Sequence, residues 1–297
     1  MDGWSVSLEE TLLWTNDFHG CQKIQEIRRI AQAARDCRVF GQTFMILLLD
    51  IGNTNTHLGL GNSRRVVRCS NIRTSDWIGT NAKRLVKNFV GNAELHGAAL
   101  CSVVPAVTPQ ANLAIKRLWS FSCLELTPAT VRGLGIDYPK PNTIGPDRLA
   151  NAVSARHHFG APCLAVDFGT AVTFDVVNRF GNFIGGIIAP GLAAMTEYSH
   201  EKTALLPRIK IREPKSVIGK STKEAMNVAA VRGYRGMVRT LLQDIKRELK
   251  TPRLPVVATG GYAKLMATNV PEITDVEPLL TLEGLRLTWY AHHPSDQ

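Results

Sequence analysis

The residues best suited to chemistry lie in a short phrase that the sequence contains twice. Asp50 and Asp167 each end an apolar run, and each is followed after one residue by a glycine and then by hydroxyl or amide side chains. A threonine recurs six residues after each aspartate, at Thr56 and Thr173. The carboxylate can hold Mg²⁺ directly or through water, and the glycine lets backbone N–H groups approach a phosphate. One copy would be weak evidence, but two copies predict two strand–turn–strand phosphate sites that face each other across a cleft.

Two further segments add candidate groups. Thr259-Gly260-Gly261 follows a short apolar strand, and adjacent glycines there would admit a flat ring such as adenine. Gly145-Pro146-Asp147-Arg148 opens an alanine-rich helix. Asp147 could accept a hydroxyl proton, and Arg148 offers a forked donor to the carboxylate of an acid substrate. The same four residues also describe an ordinary helix start with an acid in its first turn, so both interpretations stay open on spacing alone.

The elements that must position these groups occur in two similar series. The hydrophobic pattern predicts strands at 46–49, 56–60, 65–69, 97–104, 163–167, 172–177, 183–188 and 256–258. It predicts helices at 77–89, 108–118 and 146–155, from about residue 192, over most of 220–250, after Gly261 and at the C-terminus. Because both series begin with the Asp-x-Gly phrase, we predict a duplicated α/β architecture with halves at 45–155 and 156–297.

Residues 1–44 differ from the rest of the chain, since they carry mixed charges and no strand pattern. Met45 begins the first predicted strand directly. Our hypothesis is that Met45 is the natural start and that residues 1–44 are an upstream extension, either disordered or loosely docked. The intact mass of the protein from its native host tests this hypothesis, and a full-length mass would refute it.

Composition narrows the choice of compartment and partners. The chain has 297 residues, of which 44% are hydrophobic, and no apolar run approaches the ~20 residues that cross a bilayer. The net charge is +10, but the basic residues are dispersed and no arginine-rich tract accompanies them, so nucleic acid is not an expected partner. The six cysteines are scattered without a C-x-x-C pair, which is typical of reduced thiols. We expect a cytoplasmic protein without a membrane segment.

The motifs together resemble the acetate and sugar kinase, Hsp70 and actin superfamily, and within it the type III pantothenate kinase family. The resemblance runs from residue 45 to about residue 290. It is carried by 50–54, Gly145-Pro-Asp-Arg148, 167–171, 185–191, 219–222, Thr259-Gly-Gly261 and 277–285. It implies duplicated ribonuclease H-like domains with a cleft between the halves. It also implies an enzyme that uses ATP with Mg²⁺ to phosphorylate pantothenate, the first step towards coenzyme A.

The resemblance assigns roles to individual residues. The ATP phosphates and Mg²⁺ would lie near Asp50, Ile51, Gly52, Asn53, Thr54, Asn55, Thr56, His57 and Thr170, with Asp50 nearest the magnesium. Pantothenate would contact Tyr138, Gly145, Pro146, Asp147, Arg148 and Thr222. Asp147 would be the general base, and Asp167 would bind a monovalent cation such as potassium or ammonium. Thr222 would reach pantothenate across a homodimer interface. For His57, an ordinary strand histidine remains the alternative.

Two other functions remain open as alternatives. Another kinase or phosphatase of the same superfamily would act on a sugar or a short acid, and it should lack the combination of Tyr138 with Gly-x-Asp-Arg. A non-catalytic transcription accessory protein similar to this family is the alternative from a different class, but Asp50, Asp147 and Asp167 are all present. A P-loop is excluded at Gly219-Lys220-Ser221-Thr222, because Pro214 occupies the place of the first glycine.

Overall fold

The computed structural model describes residues 44–79 and 81–296. The predicted extension therefore lies outside the described residues, and the hypothesis about Met45 stays a prediction. The first strand begins at Met45, as its apolar run predicts. Leu47, Leu48 and Leu49 are fully buried, because neighbouring layers cover both faces of this strand.

The first sheet contains five strands in the order β3-β2-β1-β4-β5. Their bounds are β1 Met45–Ile51, β2 Asn55–Gly61, β3 Val66–Arg73, β4 Leu95–Ser102 and β5 Leu124–Glu125. β2 is antiparallel to both β1 and β3, whereas β4 pairs in parallel with β1 and with β5. The helices of this region are a 3-10 turn Thr74–Ile78, α1 Asn81–Val90 and α2 Thr108–Trp119.

The second sheet contains six strands in the order β11-β10-β7-β8-β9-β6. Their bounds are β6 Gly135–Ile136, β7 Cys163–Phe168, β8 Ala171–Val177, β9 Asn182–Pro190, β10 Val256–Thr259 and β11 Asp275–Val276. The remaining helices are α3 Pro146–Phe159, α4 Leu192–Lys202, α5 Thr222–Val228, α6 Tyr234–Glu248, α7 Ala263–Ala267 and α8 Leu280–His292, with short turns Pro141–Thr143 and Pro294–Asp296. A π-helical turn, Ala229–Gly233, joins α5 to α6 within the region predicted as one long helix.

The two sheets share one plan. In each, an antiparallel hairpin is flanked by a third antiparallel strand on one side and by a parallel strand on the other. The first sheet uses β1–β2 as this hairpin, and the second uses β7–β8. The predicted duplicated α/β architecture is therefore confirmed, and the bounds of its halves, 45–155 and 156–297, stay a prediction. The strand β6, although early in the chain, pairs with β9 at the edge of the second sheet.

Helices α3 and α8 pack against each other and join the two sheets through one apolar cluster. The cluster includes Ile46 of β1, Leu149 of α3, Ala165 of β7 and Leu285 of α8, all fully buried. Gly284 permits the close approach of the helices, because a Cβ at this position would collide with the carbonyl group of Ala150. Among the described residues, no helix is both long and apolar enough to cross a membrane.

Candidate active site

The β1–β2 hairpin presents the first Asp-x-Gly phrase at the end of the first sheet. Asp50 is the penultimate residue of β1, and the turn that follows is closed by the Gly52 N–H, which donates to the carbonyl of Asn55 at 3.0 Å. A Cβ on Gly52 would lie 3.1 Å from that same carbonyl, so a glycine suits the tight turn. Asn53 and Thr54 are exposed at its tip and can offer side-chain and backbone donors to an anion.

The buried Thr56 supports this turn from below. The Trp77 Nε1–H donates to the Thr56 hydroxyl at 3.0 Å, and the Thr56 and Thr74 hydroxyls lie 3.1 Å apart. The Thr74 hydroxyl donates to the carbonyl of Gly52 at 2.6 Å, so the chain of hydrogen bonds runs from the core to the turn. The Thr56 hydroxyl is therefore engaged in hydrogen bonds inside the protein. The side chain of Ile51 is fully buried. Only the backbone of these two residues can serve a phosphate.

His57 lies directly opposite Asp50 in the β1–β2 ladder. Opposed residues of an antiparallel pair project from the same face of the sheet, so the imidazole faces the same side as the carboxylate. Its Nδ1 lies 2.7 Å from Asn71 Oδ1, which can only accept, so we assign the proton to Nδ1. Nε2 of this exposed side chain remains available on the side of Asp50.

The β7–β8 hairpin presents the second phrase with a shorter turn. Only Gly169 and Thr170 separate the two strands, and Thr170 is exposed. Here Thr173 lies directly opposite Asp167, in the position that His57 holds in the first hairpin. The Thr173 hydroxyl donates to Asp175 Oδ2 at 3.1 Å.

Asp167 is held by groups from three other segments. Asn151 Nδ2 of α3 donates to Asp167 Oδ2 at 3.3 Å, while Asn151 Oδ1 accepts from the Thr281 hydroxyl of α8 at 2.8 Å. Gly260 has φ +88°, and a Cβ there would collide with the Asp167 carboxylate and with the backbone of Phe168. The absence of a side chain at Gly260 thus allows the loop after β10 to pack closely against β7. Gly261 is exposed with open space around it, and it remains the candidate for ring contact.

The helix start at Asp147 places two charged side chains with different partners. Asp147 Oδ1 accepts from the Arg148 N–H at 2.9 Å, and a Cβ on Gly145 would lie 2.5 Å from that oxygen. Arg148 Nε donates to the buried Asp175 Oδ1 at 2.5 Å, and Nη2 donates to the carbonyl of Phe174 at 3.4 Å. This leaves Nη1 without a hydrogen-bond partner among the described residues. Asp175 therefore fixes the guanidinium, and Asp147 is not its ion-pair partner.

Tyr138 joins the same group through a shared aromatic ring. The Tyr138 ring packs edge-on against Phe183 with centroids 6.1 Å apart, and the Arg148 guanidinium lies 5.4 Å from the Phe183 centroid. A Cβ on Gly185, with φ +118°, would lie 3.3 Å from the Tyr138 ring, so this glycine allows the tyrosine to lie against β9. The structure thus brings Tyr138, Asp147 and Arg148 together.

Thr222, also predicted to contact the substrate, makes no hydrogen bond with Tyr138, Asp147 or Arg148 in the described part of the chain. It is exposed at the start of α5, next to Ser221, whose hydroxyl accepts from the Glu224 N–H at 3.3 Å. The resemblance implies that Thr222 contacts the substrate of a second copy of the chain. That assignment stays a prediction.

The carboxylates of the cleft influence one another. Burial, followed by the charge of Asp50, raises the pKa of Asp167 to about 7. Burial raises the pKa of Asp50 to about 6, with Asp147 raising it further and His57 opposing. Burial likewise raises the pKa of Asp147. The acids from β1, α3 and β7 therefore share one poorly solvated region, in which each favours the neutral form of the others.

Four residues that the sequence analysis missed support these acids. Asp175 holds Arg148, Asn151 and Thr281 orient Asp167, and the Cys101 thiol of β4 donates to Asp50 Oδ1 at 3.5 Å. Asp175 had a detectable signal, because an acid inside the apolar strand 171–177 needs a partner when buried. The contact between Asn151 and Thr281 joins residues far apart in the chain and had no such signal.

The oxygen ligands of this region fit a hard cation. Within residues 44–79 and 81–296, no three His, Cys, Asp or Glu side chains converge closely enough to hold a metal ion by themselves. Asp50 and Asp167 instead offer single carboxylates whose mutual repulsion a cation would relieve. Mg²⁺ commonly binds through one or two carboxylates together with substrate phosphates and water. When bound, such an ion neutralises charge on the phosphates.

The whole arrangement suits phosphoryl transfer from a nucleotide to an alcohol. That reaction requires positioning, charge neutralisation and one group that orients or deprotonates the acceptor hydroxyl. The two hairpin turns provide exposed donors, and Asp147 at the start of α3 provides the acceptor carboxylate. Arg148 lies beside it with one free nitrogen for an anionic substrate.

Comparisons with known proteins agree with this chemistry. Residues 46–244, more than half of the chain, match the family model of type III pantothenate kinase. A type III pantothenate kinase from Methylacidiphilum infernorum is 43% identical over 243 residues, which cover 82% of this chain and 87% of the relative. One from Akkermansia muciniphila is 45% identical over 242 residues, which cover 81% and 96%. One from Geobacillus thermodenitrificans is 37% identical over 252 residues, which cover 82% and 97%.

Solved structures share the fold at low sequence identity. Lmo2764 from Listeria monocytogenes, described as a candidate N-acetylmannosamine kinase, is 11% identical with a TM-score of 0.50, and the match covers 84% of this chain and 100% of that one. A ROK hexokinase from Thermus thermophilus is 14% identical with a TM-score of 0.44 over 82% and 98%. The likeness to Lmo2764, together with the two similarly built sheets, confirms the predicted fold of the actin, Hsp70 and sugar kinase type. On the family model and the close relatives, this chain belongs to the type III pantothenate kinase family.

Proposed function

We propose that this chain phosphorylates pantothenate with ATP to give 4′-phosphopantothenate, the first step of coenzyme A biosynthesis. One observation carries the proposal beyond family membership. The Asp147 carboxylate stands next to Arg148, and the guanidinium of Arg148 is fixed by Asp175 with one nitrogen left free. A base for a hydroxyl beside a preorganised cation suits a substrate that carries both an alcohol and a carboxylate.

On this proposal the ATP phosphates lie between the two hairpin turns. Backbone N–H groups and the side chains of Asn53 and Thr54 serve one side, and Thr170 serves the other. Asp50 takes part in binding the Mg²⁺ that accompanies ATP, and His57 Nε2 faces the same region. Burial raises the pKa of Asp50 to about 6, and nearby phosphates would raise it further. A bound Mg²⁺ would lower this pKa again and so favour the ionised carboxylate.

Pantothenate, the phosphoryl acceptor, is proposed to bind at the start of α3. Asp147 accepts the hydroxyl proton of pantothenate as the oxygen attacks the γ-phosphorus of ATP, and the bond to the leaving ADP oxygen breaks. Burial raises the pKa of Asp147, which strengthens it as a base relative to an exposed aspartate. Arg148 receives the pantothenate carboxylate through Nη1, and Tyr138 closes the side of the site formed by Phe183.

Asp167 is proposed to bind a potassium or ammonium ion near the second turn. A singly charged cation suits this place, because the donation from Asn151 already offsets part of the charge of the carboxylate. A bound cation would lower the pKa of Asp167 from its value of about 7 and keep the carboxylate ionised.

We also propose a homodimer in which Thr222 of one chain approaches the substrate of the other. Large exposed apolar side chains support an interface on this side of the second sheet, namely Ile188, Met195, Tyr198, Leu205, Val217 and Ile218. The last two lie in the segment that leads to α5. We expect the enzyme to act in the cytoplasm, where ATP is available.

The test is direct detection of the product by mass spectrometry, with ADP release measured in parallel. Purified full-length protein with ATP, Mg²⁺ and potassium should convert pantothenate into a species heavier by one phosphoryl group. Glucose and N-acetylmannosamine serve as acceptors for the alternative kinase activities. Turnover of either sugar without turnover of pantothenate would overturn the proposal. Turnover of none of the three would favour the non-catalytic alternative.

A further inference from the structure

A cavity of about 650 Å³ lies at the end of α3 opposite Asp147. Arg156, which lines it, stands about 14 Å further along the helix axis than Asp147, given the rise of an α-helix. The β2–β3 turn also borders the cavity, at the end of β2 opposite the first phosphate turn. None of the residues assigned to ATP or pantothenate lines it.

Basic side chains from four segments of the chain line this cavity, and four of them are arginines. Arg64 comes from the β2–β3 turn, Arg132 from the loop before β6, Arg156 and His157 from the last turn of α3, and Arg286 from α8. The cluster brings together residues that are distant in sequence. It concentrates positive potential in a concave space, where field lines are focused.

Arg286 is the one guanidinium of this cavity that already has a carboxylate partner. It is 4% exposed, and its Nε and Nη2 donate to the two carboxylate oxygens of Glu283 at 2.8 and 2.5 Å. Its Nη1 donates to the carbonyls of Asn62 and Ser63 and so ties the β2–β3 turn to α8. Arg286 therefore shapes the cavity wall but contributes little net charge.

The other three arginines keep unused donors. Within the described residues, Arg64, Arg132 and Arg156 form no ion pair with a carboxylate. Arg132 and Arg156 each use Nη1 to donate to backbone carbonyls, which fixes both side chains while Nε and Nη2 stay free. Arg156 is further positioned by Gly181, where a Cβ would lie 2.6 Å from its Nε.

A purely structural role explains only part of this cluster. Cations in the last turn of a helix compensate the helix dipole, and this accounts for Arg156. Burial lowers the pKa of His157, which favours its neutral form. Arg64 and Arg132 belong to no helix, so the dipole gives no reason for their presence here. A solvated basic patch would be convex, whereas these side chains border a cavity that also has an apolar wall of Val153 and Leu287.

We propose that this cavity binds a small phosphate-bearing anion, which accepts hydrogen bonds from Arg64, Arg132 and Arg156. Guanidinium groups suit this ligand because their planar donors match phosphate oxygens in pairs. The volume falls within the range of small-molecule sites, and the apolar wall can contact an organic portion. Because the cavity is remote from Asp147, the anion binds at the same time as the substrates of the cleft.

Isothermal titration calorimetry with inorganic pyrophosphate tests the proposal. The active site is first saturated with pantothenate and a non-hydrolysable ATP analogue, so that the probe cannot report on the cleft. The variant Arg64→Gln/Arg132→Gln replaces two exposed arginines and keeps the buried Arg286. We therefore expect the variant to fold as the wild type does. The matched control Arg117→Gln/Arg253→Gln removes the same charge from exposed positions outside the cavity.

We expect one pyrophosphate site in the wild type and in the control, and affinity at least about tenfold weaker in the cavity variant, since charged hydrogen bonds are lost. Kinase parameters without pyrophosphate should be unchanged in both variants. A second titration with glucose 6-phosphate distinguishes a phosphate ester from an inorganic anion as the ligand. No binding of either probe, or equal weakening in the cavity and control variants, would overturn the proposal.

Discussion

The β1–β2 and β7–β8 hairpins begin with the same phrase and then diverge by one residue. Three residues separate the strands of the first hairpin, Gly52 to Thr54, whereas Gly169 and Thr170 alone separate those of the second. Successive side chains of a strand point to opposite faces, so one additional residue reverses which side chains face the cleft. The threonine six residues after each aspartate is therefore buried in the first hairpin and faces the cleft in the second.

This difference gives the two hairpins different roles in the site. The first hairpin has an open turn with exposed amide and hydroxyl groups, and His57 stands opposite Asp50. In the second hairpin the cleft face carries Thr173 and, two residues later, Asp175, which holds Arg148. The first hairpin thus provides a turn for the ATP phosphates, whereas the second also helps to form the binding site of the phosphoryl acceptor. Sequence duplication here preserves the aspartates but not the residues opposite them.

The largest effect is expected at Asp147, which belongs to neither hairpin. Replacement by asparagine removes the proton acceptor but preserves the shape, and general base catalysis contributes about 10²–10⁴-fold. The variant Asp147→Asn should lose turnover by roughly that factor and bind ATP nearly as the wild type does. Steady-state kinetics and nucleotide calorimetry measure the two quantities. Near-normal turnover would show that the base comes from elsewhere, including one of the hairpins.

The next effect distinguishes the cleft face of the second hairpin. Asp175→Asn leaves Arg148 with a neutral acceptor, so the guanidinium loses its fixed position while Asp50 and the first turn are untouched. We expect KM for pantothenate to rise about tenfold to a hundredfold, in keeping with the cost of disrupting a buried charge pair, and KM for ATP to change little. The exposed acid Asp137 supplies the control Asp137→Asn. Equal changes in both KM values would mean that Asp175 serves the site as a whole.

A pH dependence of stability tests the environment of Asp167. Its pKa is raised to about 7, so the native state binds the proton more tightly than the unfolded chain does. Linkage then requires that the native state lose stability as pH rises from about 4 to about 7. Without potassium or Mg²⁺, the free energy of unfolding of Asp167→Asn should gain about 3 kcal/mol relative to the wild type between pH 4.5 and pH 8. Denaturant unfolding measures this, and a constant difference would contradict the assigned environment.

The smallest effects distinguish the two threonines. Thr56→Val leaves the buried Trp77 Nε1–H without its acceptor and should lower the free energy of unfolding by about 1–3 kcal/mol, with kinetics nearly unchanged. Thr173→Val loses a half-buried hydrogen bond to Asp175 and should change stability by less than about 1 kcal/mol, while KM for pantothenate rises a few-fold. The opposite pattern would mean that the two hairpins are equivalent after all.

Much of the fold could be predicted because local patterns determine it. The apolar runs before Asp50 and Asp167 end where β1 and β7 deliver their carboxylates, and the helix after Gly145 begins at Pro146 as predicted. The π-turn at Ala229–Gly233 was missed, because its hydrophobic pattern resembles that of a continuous helix. Strand β6, of two residues, is too short to produce a periodic signal.

The acidic residues of the site could be predicted from the sequence, whereas the residues that orient them could not. Asp50, Asp147 and Asp167 stand out by motif, and the structure brings their charges together. The inward direction of Thr56 depends on turn length, which the spacing from Asp50 does not reveal. Asn151 acts through Thr281, 130 residues away, and such a contact follows only from the packing of α3 on α8.

A potassium titration of pantothenate-dependent ADP release tests the unequal roles of the hairpins most directly. The wild type should show turnover that rises steeply with potassium or ammonium and remains low in sodium. Asp167→Asn should lose this dependence, whereas Asp50→Asn should keep it and require more Mg²⁺. A wild type indifferent to the monovalent ion, or an Asp50→Asn variant that loses the potassium response, would contradict the account.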